Sequence, residues 1–258
     1  MTDYSPQLGT PATGVVITGG ASGIGLATAH ALACVGRPVA LWDINADGAK
    51  AAAATIRDRY GVAAHGQSVD LRDPQAVTPA ALATRAALGS VGAIAHCAGT
   101  ALQTGIEGVT PENFDAGMGL HVRAIVLLVQ AFMDDLKGHP GSAVVAMASI
   151  NATFGNGSIP IYSAAKGAVI SLVRAMADEL ALSGIRINTV SPGMIDTPIL
   201  GEARDAMAQV YAPRTFLGRF GDPAEIGRVV RFLLSEEASY ITATEIVVDG
   251  GILHSQRP

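Results

Sequence analysis

The sequence is poor in positive charge: 17 Lys and Arg stand against 22 Asp and Glu, a formal net charge of −5. A chain without a basic field has little to draw a phosphate backbone or an anionic bilayer, so nucleic acid is not an expected partner. Long apolar runs are also missing. Even 124–133 is interrupted by Gln130 and followed by Asp134 and Asp135, short of the ~18 apolar residues of a spanning helix, and no membrane segment is expected. The two cysteines, Cys34 and Cys97, can form one bridge at most, and their apolar neighbours suit buried thiols in a reducing compartment. The opening segment MTDYSPQLGTPATG has neither the basic start nor the apolar stretch of a secretory signal. A cytoplasmic protein is the expectation. Charge is scarce at 15%, but 49% of residues are hydrophobic, which is ample for a core and excludes disorder.

From Gly14 almost to the end, short apolar runs alternate with Ala-rich helical stretches, the pattern of repeated βα units around a parallel sheet. Seven strands are predicted, at 15–18, 39–43, 63–68, 93–97, 143–148, 187–190 and 245–248. Most are Val/Ile-rich without polar alternation, as strands covered on both faces should be. The fold class is therefore α/β, a doubly wound seven-stranded parallel sheet with helices on both faces. Asp73-Pro74, Thr110-Pro111 and Asp222-Pro223 each place a capping oxygen before a proline and mark helix starts. One long helix is expected from Pro111 to about Lys137. No linker or repeat divides residues 1–258, so one domain is expected, with an irregular excursion at 194–217 placed to serve as a substrate lid.

After the first strand comes Thr18-Gly19-Gly20-Ala21-Ser22-Gly23-Ile24-Gly25, followed by a helix. Glycines there allow a tight turn and let backbone N–H groups approach a pyrophosphate at the positive end of the helix. Gly19, Ser22, Gly23, Ile24 and Gly25 are accordingly candidate nucleotide contacts. Asp43 ends the second strand 18 residues after Gly25, where a carboxylate can accept both ribose hydroxyls and repel a 2′-phosphate. With no Arg or Lys in the loop, NAD is the expected cofactor. The competing reading of Asp43 is a cap for the next helix.

Ser149 follows the fifth strand, Tyr162 lies 13 residues on and Lys166 four further. Spacing of four puts Tyr162 and Lys166 on one helix face. With only three lysines and five tyrosines in the chain, the pairing is not easily an accident. A free phenol titrates near ~10, too high for a base at neutral pH, and a neighbouring ammonium favours the phenolate. Ser149 can hydrogen-bond the same substrate oxygen. Histidines and Cys97 fit no zinc-ligand spacing and have no carboxylate cluster beside them, so no metal is expected.

Together with Asn188-Thr189-Val190-Ser191-Pro192-Gly193 and Val248-Asp249-Gly250-Gly251, these motifs resemble the short-chain dehydrogenase/reductase family over residues 12–252. The resemblance implies a Rossmann protein, usually homotetrameric, that uses a nicotinamide cofactor for alcohol/carbonyl redox on small molecules. It also implies that Asp70 and Leu71 flank the adenine, that Cys97, Ala98 and Gly99 pass beside the cofactor, and that Ile195 and Thr197, after Pro192-Gly193, meet the nicotinamide. Two departures stand out. His96-Cys97-Ala98-Gly99 replaces the family's Asn-Asn-Ala-Gly and loses an amide that ties central strands. His121 stands where an Asn usually holds a relay water, and an imidazole titrating near ~6.5 serves as a proton relay or is a packed side chain.

The reaction expected is NAD-dependent interconversion of a secondary alcohol and a ketone. The alternatives are an NADP-dependent ketoreductase and a non-catalytic NAD sensor. The lid's Met194, Ile199, Leu200, Met207, Val210, Tyr211, Phe216 and Leu217 favour a neutral, fairly apolar substrate, unless Arg204 or Arg214 turns inward.

Overall fold

The structure, a computed structural model, describes residues 4–257. Met1, Thr2 and Asp3 of the polar opening segment lie outside the described residues, as does Pro258. Seven strands form one sheet: β1 Gly14–Thr18, β2 Val39–Asp43, β3 Ala64–Ser68, β4 Val91–His96, β5 Ala143–Met147, β6 Arg186–Pro192 and β7 Glu245–Val248. Their order is β3-β2-β1-β4-β5-β6-β7, and every pair is parallel. This is the doubly wound, Rossmann-like sheet that the sequence predicts, with strand ends displaced by two residues at most. β4 stops before Cys97, whose N–H leaves the ladder to donate to the Thr18 hydroxyl at 3.1 Å.

Among the described residues, ten α-helices complete the frame: α1 Gly23–Ala33, α2 Ala46–Tyr60, α3 Val77–Leu88, α4 Pro111–Met118, α5 Ala124–Ala131, α6 Met133–Gly138, α7 Asn151–Phe154, α8 Pro160–Ala181, α9 Arg204–Tyr211 and α10 Pro223–Leu233. Alternate strand residues feed two cores. Val16, Ala40, Ile94 and Val144 pack with α3, α5 and α8; Val15, Ile17, Leu41 and Val145 pack with α1, α2 and α10. Asp73, Thr110 and Asp222 all cap as the sequence predicts, the last two in reciprocal capping boxes.

The expected helix from Pro111 to Lys137 is not continuous. A π-helical turn, Gly119–Arg123, separates α4 from α5, and Phe132 (φ −111°, ψ 13°) breaks α5 from α6. At the π turn the Leu120 carbonyl is taken by His96 Nε2 at 3.1 Å, a side-chain intrusion of the kind that widens a helix. At the second break Phe132 is fully buried against Trp42, with Arg85 stacked 5.1 Å from its ring. Among the described residues, the run Pro111–Ala131 does reach spanning length and hydropathy, against the expectation from uninterrupted runs alone. Its Ala124, Ile125, Leu128 and Val129 are core residues packed on the sheet.

At the N-terminal edge of the sheet two buried arginines grip the end of α10. Arg37 donates to Thr13 O, Thr13 Oγ1 and Leu234 O at 2.8–3.1 Å. Arg186 donates to Leu233 O at 2.8 Å and Ser235 O at 3.0 Å. Positive groups there satisfy the carbonyls that a helix C-terminus leaves free.

Candidate active site

A cleft of about 1500 Å³ runs across the C-terminal ends of the strands, the expected position for a ligand at the switch between strand orders. Every catalytic and cofactor-binding candidate predicted from sequence lines it except His121.

At the end of β1 the chain turns through Gly19 (φ +66°) into α1. A Cβ on Gly25 would strike the Gly19 carbonyl, so only glycine lets this turn close. Ser22, the residue before α1, makes no side-chain cap, leaving its hydroxyl and the first N–H groups of the helix for an anion. Thr197 sits over the turn, its Cγ2 3.4 Å from where a Cβ on Gly23 would lie. Asp43 lies beside the loop: Oδ2 accepts from Ala21 N at 3.0 Å and Oδ1 from Asn45 N at 2.9 Å. The helix cap is Asn45, which accepts from Gly48 N, so Asp43 is not the cap of α2. Further along, Asp70 and Leu71 line the cleft, with Asp70 ion-paired to Arg72 at 2.7 Å. The glycine turn, the uncapped helix start and a carboxylate at the second strand together fit a dinucleotide.

Behind the loop, Thr18 is a hub that the sequence reading missed. Its Oγ1 accepts from Cys97 N and Ala98 N at 3.1 and 3.0 Å and donates to His96 Nδ1 at 2.9 Å. Leu120 O can only accept, so His96 carries its hydrogen on Nε2 and leaves Nδ1 as the acceptor. His96 thereby replaces the lost amide tie and extends it to the π turn. Burial, with Lys166 adding to it, holds its pKa at about 3. Burial likewise pushes the Cys97 thiol up to about 12, so it stays protonated and unreactive.

Ser149, after β5, accepts from Asn151 N at 3.2 Å. Tyr162 and Lys166 project from the first turns of α8, with the ammonium 5.4 Å from the phenol ring centroid. Lys166 Nζ donates to Met147 O at 2.7 Å, and burial lowers its pKa to about 8. The expected depression of Tyr162 is absent. Burial raises the phenol above its usual 10, and the Ser149 hydroxyl only partly opposes this.

His121 lies one layer behind these groups, 1% exposed. Its Nε2 donates to Thr100 O at 3.0 Å, which leaves Nδ1 as a buried acceptor without a partner. Cε1 would lie 2.7 Å from a Cβ on Gly99. Burial first, then Lys166, lowers the imidazole to about 2. A relay that titrates near ~6.5 is therefore corrected to a neutral ring with one free lone pair.

The other motif residues build the floor. Asn188 Nδ2 donates to Ile241 O and its Oδ1 accepts from Thr244 N, at 2.9 and 3.1 Å. Asp249 accepts from Gly251 N and Leu253 N, at 2.8 and 2.9 Å. Pro192, Gly193 and Ile195 line the cleft above them. In the 194–217 excursion, Met194, Ile199, Leu200, Met207, Tyr211 and Arg214 face the cleft. Val210, Phe216 and Leu217 do not, contrary to expectation; the backbone N–H groups of the latter two are drawn to Gly250 O. Arg204 is held outside by Asp196 and Asp205, at 2.5 and 2.8 Å. Ser255 and Arg257 join the lining from beyond the last recognised motif.

Known proteins share this frame. A family profile described as Enoyl-(Acyl carrier protein) reductase matches residues 19–253. The chain is 35% identical to a cyclopentanol dehydrogenase of Comamonas sp. over 240 residues, covering 92% of this chain and 95% of that one. It is 32% identical to levodione reductase of Leifsonia aquatica over 247 residues, 92% of each. Among solved structures, L-sorbose reductase from Gluconobacter frateurii, complexed with NADPH and L-sorbose, superposes with a TM-score of 0.90 at 29% identity, over 96% of this chain and 99% of that one. Matched across nearly its whole length in sequence, profile and fold, the chain belongs to the short-chain dehydrogenase/reductase family, whose members bind a nicotinamide cofactor.

Proposed function

We propose that the protein is an NAD-dependent oxidoreductase that interconverts a secondary alcohol and a ketone. The observation that carries this reading is the meeting of Ser149, Tyr162 and Lys166 in one cleft with the glycine turn and Asp43. The N–H groups of Gly23, Ile24 and Gly25 would hold the pyrophosphate, Asp43 the adenosine ribose, Asp70 and Leu71 the adenine, and Ile195 and Thr197 the carboxamide. The nicotinamide, when bound, supplies the hydride chemistry.

This chain's own residues govern the proton. The Ser149 hydroxyl holds the substrate oxygen beside the phenol, and Tyr162 exchanges the proton at that oxygen. Lys166, fixed by Met147 O, places a positive charge by the phenol and faces the ribose. His121 holds its neutral lone pair behind them as a positioning group. Residues 194–217 close over the substrate as a lid on a single domain.

Screening a panel of secondary alcohols that includes cyclopentanol, with NAD+ and NADP+ in parallel and reduced cofactor read by absorbance, tests the proposal. Turnover with NAD+ supports it. Comparable kcat/KM with NADP+ favours the ketoreductase reading, toward which the NADPH complex of L-sorbose reductase points. No turnover of any alcohol would leave a nucleotide-binding protein without this activity.

A further inference from the structure

The cleft is electrically lopsided. Its acidic lining residues, Asp43 and Asp70, lie at the phosphate-loop end, where Arg72 is already ion-paired with Asp70. Around the lid and 252–257 the lining includes, among the described residues, Arg214 and Arg257 and no carboxylate. Among the described residues neither of these arginines has an acidic partner within ion-pair distance, whereas the lid's other arginine, Arg204, is held by two.

Both guanidinium groups are nonetheless placed. Arg214 lies 5.6 Å over the Tyr211 ring, and Tyr211 itself lines the cleft. Arg257 lies 5.5 Å over the Phe216 ring and donates through Nη1 to Thr215 O at 2.7 Å and Phe216 O at 3.3 Å. Thr215 is buried, and its hydroxyl accepts from Arg219 N and is bonded to Ala212 O, which fixes the stretch between the two arginines. Stacking on a ring face leaves the in-plane N–H donors of Arg214 free, while Arg257 spends Nη1 on the two carbonyls and keeps Nε and Nη2; such donors match an oxyanion. Both arginines are solvent-exposed and have no carboxylate partner among the described residues, so at this end of the cleft they create a positive, salt-screened field that favours an anionic substrate.

We infer that the substrate carries an anionic group, a carboxylate or a chemically similar oxyanion, that Arg214 and Arg257 bind while its carbinol or carbonyl carbon sits at Tyr162. This deepens the proposed alcohol/ketone reading and rests on it for the redox step; the anion site itself rests on the arginines. The substrate class becomes hydroxy or oxo acids in place of neutral alcohols.

The test uses 4-oxopentanoate, 5-oxohexanoate and 6-oxoheptanoate, each with its methyl ester. Binding to the full chain with NADH present is measured by calorimetry, and turnover by NADH absorbance. At least one acid should bind at least about tenfold tighter than its ester, and that advantage should shrink as salt rises from about 20 to about 300 mM. R214Q combined with R257Q should bring the acid-to-ester ratio to near one, while R214K should keep most of it, with thermal melts confirming that both variants fold. Equal binding of acids and esters, binding of no acid, or an advantage that survives the double substitution would overturn the inference. Arginine-dependent binding of an acid without NADH oxidation upholds the anion site and removes the redox reading. Turnover of cyclopentanol or the esters with no preference for acids does the reverse.

Discussion

The imidazole of His121 meets the ring of Tyr162 edge-on, with centroids 5.4 Å apart and planes at 84°. The contact sets the back wall of the proposed proton-transfer site. Because Thr100 O fixes the imidazole's tautomer and burial keeps it neutral, His121 offers a lone pair and a surface, not a titrating proton. The acid side of the kcat profile should therefore show no inflection near ~6.5. His121→Asn, which keeps an acceptor, should hold kcat within about threefold, and His121→Leu should lose about tenfold or more. An inflection near ~6.5 that vanishes in the Asn variant would show that the ring does titrate.

Two buried histidines with lowered pKa values make stability depend on pH. Unfolding releases His96 and His121 to the ordinary value of 6.5, from about 3 and about 2 in the fold, so below 6.5 the unfolded chain binds more protons. Their contribution to stability is complete above about pH 6.5 and is lost as pH falls, by up to about 1.4 kcal/mol per pH unit for each histidine. Between about pH 6.5 and 5.5, where ordinary carboxylates stay almost fully ionised, denaturant midpoints should begin to fall as pH drops. His121→Asn should make the slope shallower, and an unchanged slope would contradict the burial argument.

Tyr162 lies above the usual phenol value, so at neutral pH it is a proton donor suited to carbonyl reduction. Alcohol oxidation should speed up as pH rises through the alkaline range, with Lys166, near 8, titrating within the same window. Tyr162→Phe should reduce kcat by at least about a thousandfold while NADH still binds, and Lys166→Ala should weaken both. Retention of more than a few per cent of kcat by the Phe variant would remove the phenol from the mechanism.

Asp43 is braced by Ala21 N and Asn45 N, so its charge cannot swing away from an incoming 2′-phosphate. NAD+ should be preferred by about a hundredfold or more in kcat/KM, and Asp43→Ala should narrow that gap to about tenfold or less. Equal use of both cofactors by the unaltered protein would refute the assignment.

Leu127 on α5 and Leu172 and Met176 on α8 pack against the core and stay half-buried, and paired helices at a two-fold axis are expected to cover what remains exposed. Light scattering at micromolar concentration should give about four times the chain mass of 26.2 kDa. A value of one chain mass would reject assembly.

The seven strands, the parallel sheet and the catalytic and cofactor-binding residues of the cleft were legible because strand runs, glycine turns and capping signals act over a few residues. β2 and β7 match to the residue. What escaped the sequence depends on partners far along the chain. The π turn follows from His96 reaching Leu120, 24 residues away, and a hydropathy pattern carries no trace of that bond. Thr18 gave no sign of serving three partners, because two of them are backbone groups of a neighbouring strand's end. The phenol's pKa was misjudged for a related reason: sequence spacing reports that Lys166 is near, while burial depth, the larger effect here, emerges only from packing.

Arg37 and Arg186 have a consequence for how such a chain can change. Their bonds run almost wholly to backbone carbonyls, so this clamp asks little of the side chains on α10 and survives their drift. It also stands at the edge of the sheet remote from the cleft. The loops that line the cleft can be recut, lengthened or exchanged while the rear mount stays in register. That gives the chain a chassis on which specificity is open to revision, by selection or by a designer, at small risk to the fold.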